Sequence, residues 1–170
     1  MILEERDLRF DFSDIVDPLK FDQPCRTLPN YHDKPNMPRV DFVIEDDDII
    51  YFIEVKDPAD PRSNEQNLRS FLESVINGEL IETLFKKYWN SFVFRWAENC
   101  LSKHVAYLCV ITLEESMTVQ LTEELNTKLY NLRNMSSRWR KNPLINCQVL
   151  SFDGWNSNHP QWPAVRISEE

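Results

Sequence analysis

The stretch PRVDFVIEDDDIIYFIEVKD, residues 38–57, holds two short apolar runs rich in β-branched residues. They run from Val40 to Ile44 and from Ile49 to Val55, on either side of the acidic triplet Asp46, Asp47 and Asp48. Two such runs across a polar break predict a β-hairpin. A two-residue turn at Asp47 and Asp48 sets Asp41 opposite Glu54, and a four-residue loop keeps both on one face. The triplet lacks the Asn-Gly or Asp-Gly that would fix the loop, so both lengths stay open at this point. Strand alternation adds Lys56 to the same face. Val40, Phe42, Ile44, Tyr51, Ile53 and Val55 are expected to form a core on the other.

Two carboxylates facing each other across a hairpin repel. A divalent cation between them removes that cost. Magnesium takes oxygen ligands, usually one or two carboxylates with waters and substrate phosphates. A lysine beside it can orient a water or stabilise charge developing on a phosphate. Asp41, Glu54 and Lys56 therefore carry the groups of a metal-dependent phosphodiester hydrolysis site. The competing reading is a solvated hairpin with an ordinary Glu-Lys pair. Ile50 and Phe52 share the face, which argues against it.

Asp41, twelve residues, and then Glu54-Val55-Lys56 resemble the core of the PD-(D/E)xK nuclease superfamily, whose fold is called restriction-endonuclease-like. The resemblance covers about twenty residues directly. It implies that Asp41 and Glu54 bind Mg²⁺ (or Mn²⁺), that the Val55 carbonyl helps, and that Lys56 serves the attacking water. Related nucleases also place a polar residue in the first turn of the following helix, which makes Gln66 a candidate; some carry Q-x-x-x-Y there, but Ser70 stands in the tyrosine's place. The superfamily usually begins with a helix bearing a further acid, for which only Glu4 and Glu5 are available. Glu45 is in phase with Asp41, and reads equally as an edge of the site or as a solvated residue leading into the turn.

The remaining chain fits the same class. Leu8, Phe10 and Phe12 alternate with charged residues as in a strand. Asp17-Pro18 and the spaced Pro24, Pro29, Pro35 and Pro38 exclude a long helix after residue 17. His32 and Asp33 lie in that stretch as loop residues. From Glu65, apolar positions at helical spacing predict a helix to about residue 99, with Gly78 as an interruption. Val105 to Leu113 reads as a buried strand, residues 119–141 as a helix, Ile145 to Phe152 as a strand, and Ala164 to Ile167 as a short edge strand. Trp155 and Trp162 in the tail cap the core or meet a partner. Arg133, Arg138, Arg140 and Lys141, with Trp139, form a basic cluster. It suits phosphate contact and also suits a helix C-terminus. The expected architecture is one α/β domain spanning residues 1–170, a mixed sheet flanked by helices.

Composition narrows the function. No apolar run approaches the ~20 residues that span a bilayer, so no membrane is expected. The start MILEERDLRF has neither a basic region nor an apolar segment, and the four cysteines show no close metal spacing. The expectation is a cytoplasmic protein with reduced, mostly buried thiols and no zinc. Two glycines leave no phosphate-binding loop. The net charge of −9 arises entirely from residues 1–60, which hold 16 acids against 7 Lys and Arg. That surplus opposes tight nucleic-acid binding by the chain alone and suits a protein partner or a homodimer that adds basic surface. The leading expectation is a nuclease acting on DNA, with RNA fitting the same chemistry, in repair, recombination, restriction or defence. The alternatives are a binding or assembly subunit of that fold, or an acidic mimic of DNA.

Overall fold

The computed structural model describes residues 1–28, 31, 36–133 and 143–170, with 131–133 as backbone alone. His32, Asp33, Arg138, Trp139, Arg140 and Lys141 lie outside the described residues, as does the side chain of Arg133. The elements run β1 (Ile2–Glu5), β2 (Leu8–Asp11), β3 (Leu19–Lys20), β4 (Phe42–Glu45), β5 (Ile49–Lys56), α1 (Glu65–Ile76) and α2 (Glu79–Ala97). There follow β6 (His104–Ile111), α3 (Glu115–Arg133), β7 (Asn146–Leu150), α4 (Phe152–Asn158), β8 (Ala164–Arg166) and a 3₁₀ turn at Ile167–Glu169.

The hairpin closes with the shorter of the two loops. Phe42 pairs with Ile53 and Glu45 with Ile50, and the Asp46 N–H donates to the Ile49 carbonyl at 2.9 Å. Continuing this register one step sets Asp41 opposite Glu54. β5 then pairs in parallel with β6, and β6 in parallel with β7. The result is a five-stranded mixed sheet ordered β3-β4-β5-β6-β7. Parallel neighbours require crossovers, which α1–α2 and α3 supply.

Both faces of this sheet are covered. Val43, Ile50, Phe52, Tyr107, Cys109 and Val149 meet α2 and α3 through Leu80, Leu84, Tyr88, Leu121 and Leu125, and Phe71 and Val75 of α1 pack against this cluster. Phe42, Ile44, Ile53, Val55, Leu108 and Val110 meet Leu8, Phe10, Phe12, Trp155 and Trp162. Strands buried on two sides read as continuous apolar runs, which is why Val105 to Ile111 shows no alternation. Val40 departs from its expected face: the chain bends at Asp41, and Val40 joins the helix-side core while its N–H donates to Ser91 Oγ of α2 at 2.9 Å.

The second covering layer corrects the expected architecture. One side of the sheet carries helices, but the other carries a three-stranded antiparallel sheet ordered β1-β2-β8, with short α4 beside it. Leu8 pairs with Arg166 and Phe10 with Ala164, joining the two ends of the chain. Trp155 and Trp162 are buried here at 0% and 2% exposure, so they are core rather than partner surface. The helical stretch expected across 65–99 is interrupted at Gly78 as the sequence suggested, giving α1 and α2, and the φ of 79° at Gly78 is left-handed. The strand expected to run to Phe152 stops at Leu150, because Ser151 caps α4 by accepting from the Gly154 N–H. Cys109 and Cys147 are buried, whereas Cys25 is exposed.

Candidate active site

The open end of the β4–β5 hairpin carries the expected residues and brings them together. The Asp41 carbonyl accepts from the Phe21 N–H at 2.7 Å and the Asp22 N–H at 3.4 Å, which anchors the segment after β3. Its side chain reaches across the hairpin, where Oδ2 accepts from the Val55 N–H at 2.7 Å. Oδ1 accepts from Lys87 Nζ of α2 at 3.3 Å. Glu54, one step away on β5, is fully buried.

Two ammonium groups converge on one oxygen of Glu54. Lys56 Nζ lies 2.6 Å and Lys87 Nζ 2.9 Å from Oε1. Both are close ion pairs, and Oε2 has no hydrogen-bond partner among the described residues. Burial pushes the Glu54 carboxyl up to about 7, the Asp41 charge adds to the rise, and Lys56 and Lys87 oppose it. Burial works against the charge of Lys87, but the Glu54 and Asp41 carboxylates outweigh it and hold its pKa above the ordinary lysine value. Lys87 also lies 3.7 Å from Asp22 Oδ2.

These groups line the back of a cleft of about 820 Å³, whose walls include Asp22, Asp41, Val55, Lys56, Asn67 and Lys87. Glu54 lies behind them, covered by the two lysines. Arg6 and Arg62 stand at the same cleft. Arg62 pairs with Asp60, through Nε at 3.0 Å. Just past β5, Asp57 accepts from Thr112 Oγ1 at 2.7 Å and pairs with Arg166 Nη2 at 3.3 Å, tying this end of the large sheet to β8.

Asp41, Glu54 and Val55 are the groups here that could hold a cation through oxygen. Asp41 keeps one carboxylate oxygen free of backbone bonds, Glu54 has a buried oxygen without a donor, and Val55 lines the cleft. Among the described residues no three His, Cys, Asp or Glu side chains cluster tightly enough to hold a metal by themselves. Two carboxylates completed by water suit Mg²⁺ or Mn²⁺ and do not suit a closed zinc site.

Other expected residues lie elsewhere. Glu45 shares the α2-facing side with Asp41 but sits at the far end of the hairpin, paired with Arg95 at 3.1 Å and Lys103 at 3.6 Å. It lines a separate cleft with Asp14, Asp17, Asp46 and Asp47. Correct parity gave it the right face, and four residues of strand carried it away. Gln66 is exposed, and its neighbour Asn67 lines the cleft instead. Glu4 and Glu5 belong to strand β1 rather than a helical turn; Glu5 reaches the cleft and Glu4 pairs with Arg9 at 2.8 Å. In the basic cluster, Arg133 ends α3, while Arg138, Arg140 and Lys141 fall outside the described residues.

Lys87 and Asp22 were not anticipated. Lys87 had a signal: Leu80, Leu84, Lys87 and Ser91 share the buried stripe of α2, and a charge within an apolar stripe needs a buried partner. Asp22 had none, because it follows a two-residue strand in a proline-rich stretch. Comparison with known proteins found no matching family model, no matching curated protein and no matching solved structure.

Proposed function

We propose that the chain is a divalent-metal-dependent nuclease of the PD-(D/E)xK kind, with a restriction-endonuclease-like core, hydrolysing phosphodiester bonds in DNA or, failing that, RNA. One observation carries the reading: Asp41 and Glu54 face each other across a hairpin at the back of an open cleft, with Lys56 beside them. A β4–β5 hairpin, a helical crossover and a parallel β6 also follow the order that this fold implies.

Asp41 Oδ1, Glu54 and the Val55 carbonyl would hold Mg²⁺ or Mn²⁺. When bound, the cation would stabilise charge on the attacked phosphate and on the departing oxygen. Lys56, with 28% of its side chain exposed, is the ammonium nearer solvent. It orients the attacking water from the cleft side and offsets negative charge as phosphorus gains its fifth oxygen. Full burial of Glu54, beside Cys109 of β6, keeps bulk water from the carboxylate and strengthens each charge contact there.

A second reading has its own support. Lys56 and Lys87 already neutralise Asp41 and Glu54 in the absence of any cation. A fold relative kept as a binding or assembly subunit, working with a protein partner or a second copy, would be held together in that way. The −9 charge also leaves an acidic DNA mimic within this second class.

Incubation with linear, circular and single-stranded DNA and with RNA, in Mg²⁺ or Mn²⁺, separates the readings. Asp41→Asn, Glu54→Gln and Lys56→Ala proteins serve as controls. Asparagine retains a side-chain acceptor for the buried Val55 N–H, which alanine would leave unpaired at a cost of about 1–3 kcal/mol. The nuclease reading expects cleavage that falls at least a hundredfold in each variant while the fold persists. Cleavage untouched by these changes, or no cleavage together with no metal binding, rejects it.

A further inference from the structure

We propose that Lys87 is a displaceable internal counter-ion, an ammonium that occupies the divalent-cation position and moves onto Asp22 when the metal binds. The proposal rests on the metal-dependent reading above and assigns the site a built-in competitor.

Lys87 Nζ lies 3.3 Å from Asp41 Oδ1 and 2.9 Å from Glu54 Oε1. Asp41 Oδ2 is committed to the Val55 N–H, so Oδ1 is the oxygen left for a metal. Magnesium binds oxygen at about 2.0–2.1 Å. Asp41 and Glu54 would supply the carboxylate oxygens for the cation, and Nζ already contacts an oxygen of each. An ammonium and a divalent cation cannot share so small a volume in a buried, low-dielectric setting. One must leave as the other arrives.

The chain provides somewhere for the ammonium to go. Asp22 Oδ2 is already 3.7 Å from Nζ, and its side chain is 33% exposed against 7% for Asp41 and none for Glu54. It therefore marks the solvent side of the buried pair. Lysine suits such a move, as a compact charge on a flexible four-carbon stem. Lys56 can stay, because among the described residues its ion pair is with Glu54, not Asp41, and its side chain is partly exposed. Without metal, Lys87 keeps two facing carboxylates from repelling; with metal, that work passes to the cation.

Calorimetric titration of Mn²⁺ tests the idea, using wild type, Lys87→Met, Lys87→Gln, Asp22→Asn, Asp22→Asn/Lys87→Met and Asp41→Asn. Loss of the ammonium is expected to tighten Mn²⁺ binding at least tenfold. Asp22→Asn is expected to weaken binding severalfold when Lys87 is present and to leave it unchanged in the Lys87→Met background. Thermal melting gives a second readout: Lys87→Met should melt lower than wild type without metal and gain more from saturating Mn²⁺. Lys87→Gln, which keeps a polar head, serves if the methionine protein does not fold. Equal or weaker binding after loss of Lys87, with wild type still binding through Asp41, overturns the displacement and leaves the metal site standing. An effect of Asp22→Asn that persists without Lys87 overturns the role given to Asp22. Absence of Asp41-dependent binding in every protein overturns both this proposal and the metal-dependent reading.

Discussion

Glu54 joins a strand interior to a charge, and its environment makes stability depend on pH. In the folded chain its carboxyl titrates near 7, against 4.5 ordinarily. Between those values the native protein holds a proton that the unfolded chain has released, so stability is greatest at the acid end and falls as pH rises through 7. The loss amounts to about 3 kcal/mol. Lys87 is shifted upward, so its contribution is complete below 10.5 and constant across this window. Urea unfolding in chelator from pH 5 to 8 checks this, since Glu54→Gln should flatten the slope by that amount. Asp41, Glu54 and Lys56 were legible because a period of two fixes a face once the hairpin is recognised. Asp22 was not, and Lys87 showed only as a charge within an apolar stripe without naming its partners, because both come from separate segments that meet the hairpin only after folding.

The two helices that follow the hairpin depend on one residue between them. Gly78 takes a left-handed φ of 79°, and nothing lies within 4 Å of where its Cβ would be. Gly78→Ala therefore meets no steric clash, and its cost is conformational alone. It should destabilise by about 1 kcal/mol in urea unfolding while leaving metal binding intact. This break let α1 and α2 be read as a pair, since glycine interrupted an otherwise continuous stripe. The start of α4 was harder. Leu150 continues the apolar run of β7, and only the capping bond from Gly154 to Ser151 shows that the strand has ended. Arg39 shows a further limit. Its guanidinium lies 4.3 Å from the Phe21 ring centre and 4.6 Å from that of Phe94, joining the segment before β4 to α2 by a contact that no spacing rule signals.

Across the whole molecule, the large sheet was foreseeable and the small one was not. Pairing of β2 with β8 joins residues about 160 positions apart, and local periodicity carries no information on such a partner. Burial of Trp155 and Trp162 follows from that closure. Trp155 sits against Phe10 with ring centres 5.5 Å apart and donates through Nε1 to the Trp162 carbonyl at 2.7 Å. Trp155→Ala should cost about 3–5 kcal/mol in urea unfolding, far more than removal of a surface tryptophan such as Trp96, which is 69% exposed. The described residues contain no helix long and apolar enough to cross a membrane.

β5 is paired along both edges and covered on both faces, and that has a consequence in time. Its amides are expected to exchange with solvent only when the sheet itself comes apart, and those of the segment bearing Asp22, which follows a two-residue strand, are expected to exchange sooner. Hydrogen exchange measured residue by residue should therefore find the Glu54 amide slower than that of Asp22.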